Sequence, residues 1–313
     1  MMALLSLHNV SNTYRSRALG AFGAMREKQI LKGVDLEIRE GELFGLVGES
    51  GCGKTTLSRC ILGLIDYTGE ISIQGEALRP GRRAKDFSRQ VQAVFQNPAS
   101  ALNPVKTIGW LLEEPLRSHS IGSKATRQAI AADMLSMVGL DPSYRNRRVA
   151  ELSGGQKQRV CIAGALMLQP SLVIADEPVS SLDVSVGAQI LNLFRELHEK
   201  LRLSLLFISH DLNLVYYLCD RIAVMCRGQI VETGTAEAVY QNPGHPYTQD
   251  LLGSMPMLFG EMPTLIRGKG IADTPCPYSD RCRFKTRACT EHILNIAEAS
   301  EEPHWVRCDR SRE

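Results

Sequence analysis

Residues 48–55 read Gly-Glu-Ser-Gly-Cys-Gly-Lys-Thr, and those eight positions leave the chain little choice of fold. They match the pattern G-x-x-x-x-G-K-[ST], in which glycines let the backbone curl until successive N–H groups face one anion. The pattern works only between a strand and a helix. Both are predicted here: Leu43–Val47 is a short apolar run that reads as a buried strand, and 56–62 has helical spacing. The arrangement puts a phosphate at a helix N-terminus, with Lys54 reaching toward it and the Thr55 hydroxyl placed to ligate Mg²⁺. Gly48, Ser50, Gly51, Cys52, Gly53, Lys54, Thr55 and Thr56 are therefore the candidate phosphate-binding residues.

Beyond this loop the chain alternates helix and strand. Short strands are expected at 4–10, 34–38, 71–73 and 91–95, with 15–29 basic and without pattern. Helical spacing at 107–116 and 126–138 marks an insert that ends in the turn signal Gly139–Pro142. Then follow helix 156–168, strand 171–175, helix 185–200, strand 204–208, helix 212–218 and strand 221–226. Alternation of this kind predicts an α/β fold with a parallel sheet covered on both faces. From about residue 241 prolines accumulate and the sheet rhythm stops, so residues 1–240 are expected as one large domain and 241–313 as a smaller, irregular unit.

Composition narrows the partners. Lys plus Arg number 36 against 34 Asp plus Glu, a net charge of +2 that provides no global field for nucleic acid. Basic clusters at Arg79, Arg82, Arg83, Lys85 and Arg89 and at Arg145, Arg147 and Arg148 read as solvated surface. No apolar run reaches the roughly 18 residues of a membrane span, and the start of the chain lacks the basic and apolar regions of a signal peptide. A cytoplasmic protein is expected.

Leu172–Ala175 is an apolar strand ending in Asp176 and Glu177. Ligands gather at the carboxyl ends of parallel strands. There Asp176 can hold Mg²⁺ through water while Glu177 polarises an attacking water, although a strand end meeting solvent would read the same way. Phosphoryl transfer to water needs charge compensation at the γ-phosphate and one oriented nucleophile, which Lys54, Mg²⁺ and Glu177 would supply.

The order of the pieces goes further: phosphate loop, Gln96, Leu152-Ser153-Gly154-Gly155-Gln156, Asp176-Glu177, Ser181-Leu182-Asp183 and His210. In this set the chain resembles the nucleotide-binding subunit of an ATP-binding cassette (ABC) transporter over roughly residues 4–255. The resemblance implies a P-loop NTPase cassette with a RecA-like core, an N-terminal antiparallel β subdomain and a helical subdomain at about 98–160. It also implies that two cassettes pair head to tail, each ATP lying between one phosphate loop and the partner's Ser153, Gly154, Gly155 and Gln156. By the same resemblance Gln96 touches Mg²⁺ and the attacking water, His210 contacts the γ-phosphate, Asp183 lines the nucleotide site and Tyr14 stacks on adenine. The chain departs from the pattern in 15–29 and at Ser181, where the family often has alanine.

Gln96–Pro104 and His245-Pro246-Tyr247-Thr248 resemble the ATPases of the oligopeptide, dipeptide and nickel importers, and the surroundings of the phosphate loop look like the second, F-type, ATPase of such systems. That implies a heterodimer of ATPases on the cytoplasmic face of the inner membrane, two transmembrane permease subunits and an extracytoplasmic solute-binding protein. A soluble ABC ATPase of translation or DNA repair is the rival reading, but such chains usually carry two cassettes or a long coiled coil, and neither is present.

Of nine cysteines, Cys52, Cys60, Cys161, Cys219 and Cys226 fall in apolar or glycine-rich segments, where buried thiols are common. Cys276, Cys282, Cys289 and Cys308 crowd the tail at spacings that match neither zinc ribbons nor ferredoxin runs. In a reducing compartment they point to a metal more than to disulfides, with unliganded thiols the alternative. The importer resemblance implies a [4Fe-4S] cluster in some members. A Cys₄ zinc site, with His304 as a substitute ligand, stays open.

Overall fold

The structure, a computed structural model, describes residues 3–17, 25–78, 85–254, 275–291, 296–298 and 304–308. The chain forms two compact units, one made of residues 1–4, 39–43 and 82–207, the other of 5–38, 44–81 and 208–313.

The latter unit opens with β1 (Ala3–Arg17), β2 (Met25–Arg39), β3 (Leu43–Val47), α1 (Lys54–Ile61), β4 (Thr68–Ile73) and β5 (Glu76–Ala77). Four of these strands make a sheet in the order β2-β1-β4-β5. Leu5 faces Ile73 and Leu7 faces Ile71 across the antiparallel β1–β4 pair, and all four are buried. This is the period-2 alternation visible at 4–10. The patternless 15–29 stretch turns out to be partly strand, because β1 runs to Arg17 and β2 starts at Met25. The residues at these ends alternate neither by two nor by 3.6, so the sequence offered no period to read. Residues 18–24 lie outside the described residues.

The other unit holds α2 (Lys85–Gln90), β6 (Val91–Val94), α3 (Pro98–Ala101), α4 (Ile108–Ser118), α5 (Lys124–Met137), α6 (Gly154–Leu166), β7 (Leu172–Asp176), α7 (Val184–Leu201) and most of β8 (Ser204–Ser209). Its strands lie side by side as β8-β7-β6, with β6 and β7 parallel. Every residue of β7 and β8 is buried, as expected of strands covered on both faces. The helical insert forms as its spacing predicts: the Thr107 side chain caps α4 by accepting from the Trp110 N–H, and Ser123 caps α5 by accepting from Thr126. Arg89, Arg147 and Arg148 are exposed, while Arg79, Arg82, Arg83 and the Lys85 side chain lie outside the described residues.

The chain then returns to its first unit with α8 (Leu212–Leu218), β9 (Arg221–Cys226), β10 (Gln229–Thr235), α9 (Ala236–Gln241), α10 (Pro246–Gly253), α11 (Ala288–Glu291), β11 (Ile296–Glu298) and β12 (Trp305–Arg307). There the sheet order is β11-β12-β10-β9-β3. β3 and β9 are parallel, from Phe44 opposite Arg221 to Val47 opposite Val224. The sheet rhythm therefore does not stop at 241: β12 pairs antiparallel to β10, with Val306 opposite Glu232. Three-residue strands are too short to show a period, which is why the tail reads as irregular.

Candidate nucleotide-binding site

The phosphate loop runs from the buried strand β3 into α1, the setting its motif requires. Gly53 caps the helix at φ 116°, a left-handed backbone that glycine adopts without steric penalty. A Cβ on Gly48 would lie 2.2 Å from the Met225 carbonyl oxygen, so that position admits no side chain. Lys54 is only 5% exposed, and a buried ammonium must find acceptors. Its Nζ donates to the carbonyls of Gly48 at 2.7 Å and Glu49 at 3.1 Å, which holds the charge over the loop. The Cys52 carbonyl accepts from the Gly228 N–H at 2.7 Å, and the Gly228 carbonyl accepts from Lys32 at 2.9 Å. Burial pushes the Cys52 thiol up, with neighbouring Lys54 opposing it. Ser50, Gly51 and Thr55 are exposed and Thr56 half-buried.

In the same unit as the loop, Tyr14 on β1 is 43% exposed, and His210 is exposed directly after β8. Asp211, the next residue, caps α8 by accepting from the Asn213 N–H at 2.8 Å.

In the other unit, β7 delivers Asp176 as its buried last residue and Glu177 just beyond it. Glu177 has φ 49°, an uncommon left-handed conformation for a side-chain-bearing residue. Such strain concentrates at sites where the surroundings over-determine the backbone. Gln96, two residues past β6, donates from Nε2 to Glu177 Oε2 at 3.1 Å and to Ser180 Oγ at 3.3 Å. The structure thus brings Gln96 and Glu177 together, with parallel β6 and β7 as the scaffold.

Ser153 to Gln156 open α6 with a capping box. The Gln156 N–H donates to Ser153 Oγ at 3.3 Å, and the Ser153 N–H donates to Gln156 Oε1 at 3.0 Å. Ser153 and Gly154 are exposed, so this helix N-terminus, with its partial positive charge, faces outward. Asp183 caps α7, accepting from the Val186 N–H at 2.9 Å and the Ser185 hydroxyl at 2.7 Å. Those bonds hold its carboxyl below the usual carboxylate range.

Cys276 and Cys289 are buried, Cys282 and Cys308 half-buried, and none is in a disulfide. Burial first, and then the nearby Cys289, Cys282 and Cys308, push the Cys276 thiol up to about 11. Burial raises Cys282 as well, and the nearby Cys289 and Cys308 add to it. Yet among the described residues no three His, Cys, Asp or Glu side chains stand close enough to hold one metal ion. The geometry therefore gives no support to the Cys₄ zinc site or to the cluster expected of the tail. His304 places its Nε2 2.7 Å from Glu232 Oε1 in a buried pair.

Sequence reasoning missed what surrounds the loop from the tail. Glu49 gives its N–H to Tyr247 Oη at 2.8 Å and its carboxylate to both terminal nitrogens of Arg281 at 2.9 Å. Arg227 forks onto Asp280 at 2.8 and 2.9 Å. The His245-Pro246-Tyr247-Thr248 string was the one available signal.

Comparison with known proteins agrees with this geometry. Residues 31–180 match the ABC transporter family, and residues 231–289 match the oligopeptide/dipeptide transporter C-terminal region. The chain is 38% identical to the oligopeptide transport ATP-binding protein AppF of Bacillus subtilis, over 97% of this chain and 96% of that one. It is 42% identical to the dipeptide transport ATP-binding protein DppF of Escherichia coli, over 87% and 84%. Among solved structures, the dimeric post-hydrolysis state of the ATP-binding cassette MJ0796 bound to ADP and Pi superposes with a TM-score of 0.64 at 30% identity, over 74% of this chain and 98% of that one.

Proposed function

Because the chain belongs to the ATPases of the ABC transporters, we propose that it is the ATP-hydrolysing subunit of an importer for dipeptides or oligopeptides. The observation that carries this reading is the presence on one chain of the cassette match at 31–180 and the oligopeptide/dipeptide transporter match at 231–289. No helix among the described residues is long and apolar enough to cross a membrane, so the solute pathway belongs to permease subunits, and an extracytoplasmic binding protein supplies the peptide. In this reading the chain sits peripherally on the cytoplasmic face of the inner membrane.

Residues 48–56 hold the ATP phosphates, and Tyr14 stacks on the adenine. Thr55, Gln96 and Asp176 would hold Mg²⁺, which would neutralise phosphate charge. Glu177, oriented by Gln96, takes a proton from water as the water oxygen attacks the γ-phosphorus and the bond to the β-phosphate bridging oxygen breaks, releasing ADP. His210 contacts the γ-phosphate. The exposed N-terminus of α6, with Ser153, Gly154, Gly155 and Gln156, faces the ATP of a second cassette, and Asp183 lines that junction. The second cassette is a different ATPase subunit, making a heterodimer. Residues 1–240 form the cassette, with a helical subdomain at about 98–160, and 241–313 the extension.

Cys276, Cys282, Cys289 and Cys308 hold a [4Fe-4S] cluster of structural role. Supporting this, the segment that carries Cys276, Cys282 and Cys289 falls within the match to the oligopeptide/dipeptide transporter C-terminal region. Iron and sulfide assays on anaerobically purified protein test it; protein lacking both overturns it.

The transport reading is tested in cells lacking the gene, supplied with labelled dipeptide. Uptake should be lost, restored by the wild-type gene and not by Lys54→Ala. Unchanged peptide uptake in the deletion strain would overturn the reading.

A further inference from the structure

We propose that the C-terminal extension positions the phosphate loop for nucleotide through Glu49, with Arg281 and Tyr247 as positioning residues. The inference rests on the ATP-binding reading. Each polar group of Glu49 is held by a different partner. Its N–H donates to Tyr247 Oη at 2.8 Å and its carbonyl accepts from Lys54 Nζ at 3.1 Å. Its carboxylate accepts from both terminal nitrogens of Arg281 at 2.9 Å. An N–H committed to Tyr247 is turned away from any phosphate, so the anion cradle begins after Glu49. Glu49 acts as the fixed post from which the loop springs.

The two tail residues are themselves rigidly held. Tyr247 is 1% exposed, and burial pushes its hydroxyl well above the ordinary range, so it stays protonated. Arg281 lies over the Tyr278 ring at 5.3 Å, and the Tyr278 ring is 5.3 Å from that of Tyr247. Tyr278 in turn donates to Asp250 on α10. A planar guanidinium forked onto a carboxylate fixes orientation as well as distance.

The neighbouring tail residue reaches the far end of the same loop. Asp280 pairs with Arg227, and the adjacent Gly228 donates its N–H to the Cys52 carbonyl at 2.7 Å. Asp280 and Arg281 therefore brace the loop at both ends, at Cys52 and at Glu49. Lys54 lies between these braces in space, bonded to the Glu49 carbonyl, so a shift of Glu49 carries the ammonium with it. Displacements of about 1 Å at such a site can cost about a hundredfold in reaction rate.

The test uses the full chain, with calorimetric titration of a non-hydrolysable ATP analogue and Mg²⁺ alongside thermal melting without nucleotide. Arg281→Ala, Glu49→Ala and Tyr247→Phe should each weaken analogue binding about tenfold, and Arg281→Ala with Glu49→Ala should be no weaker than the worse single variant. Arg281→Lys, which keeps the charge and loses the fork, gives the same reading should Arg281→Ala fail to fold. Variants with lowered melting points but wild-type affinity would overturn the proposal, since bracing would then serve stability alone. Multiplicative losses in the double variant would overturn it too. Wild-type protein that binds no analogue would instead overturn the ATP-binding reading itself.

Discussion

Replacing Gly48 with alanine tests whether the phosphate loop is as rigid as its packing implies. The added Cβ would stand 2.2 Å from the Met225 carbonyl oxygen and 2.9 Å from Cys52 Sγ. Carbon and oxygen settle no closer than about 3.3 Å, so about 1 Å must be found. Met225 cannot supply it, being fully buried on β9 and paired with Ile230 of β10. The loop moves instead. Overpacking of this kind destabilises by about 1–3 kcal/mol; a displacement of about 1 Å takes a phosphate-facing N–H out of hydrogen-bond range, and one bond to a charged group at about 1.5–3 kcal/mol is about ten- to a hundredfold in ATP affinity. Gly51→Ala is the comparison: nothing lies within 4 Å of its Cβ, and only the strain of φ +79° applies. Calorimetry with Mg·ATP and a thermal melt on both variants read the two effects separately. Gly48→Ala binding ATP within about twofold of wild type would refute the reasoning, because a loop that absorbs such a clash is not held in place by its packing.

Glu177→Gln keeps the side chain's size and removes its charge, so turnover should fall by about 10² or more while ATP binding persists; steady hydrolysis near the wild-type rate would place the base elsewhere. The Cys60 thiol on α1, fully buried, is pushed by burial from an ordinary 9.0 to about 12. Above pH 9 the unfolded chain ionises this thiol and the folded chain does not, so its contribution is complete below that pH and is lost as pH rises through the folded value, by up to about 4 kcal/mol. Denaturant melts from pH 8 to 11 should show Cys60→Ala losing less stability than wild type, and parallel curves would contradict the assignment.

The parts of the site that sequence revealed are those made locally. The phosphate loop, the Ser153–Gln156 helix start and the Asp176–Glu177 strand end each depend on neighbours within a few residues; spacing exposes the first, while the other two took their meaning from the order of motifs that resembles an ABC cassette. Gln96 and Glu177 meet because parallel β6 and β7 bring their ends level, a pairing the sequence did not show; Gln96 was singled out by the resemblance alone. The Arg281–Glu49 fork spans 232 residues of chain and the Tyr247–Glu49 bond 198. A single polar pair at such separation imposes no period on either segment. The far ends of β1 and β2 escaped because their residues show no hydrophobic period. The buried pair of His304 with Glu232, 72 residues apart, left no trace in composition either.

The pairing of β12 with β10 also bears on how safely this protein folds. Until Trp305–Arg307 docks, β10 presents a row of unsatisfied backbone groups beside a hydrophobic sheet, which is a template for another chain. The contact closes late, because Glu232 and Val306 lie far apart in sequence and non-local pairings form slowly. During that interval intramolecular capping competes with self-association. Once β12 is seated, the strand left outermost is β11, only three residues long. An edge that short offers a second molecule little to grip, so the closing segment of the tail works as a guard against aggregation.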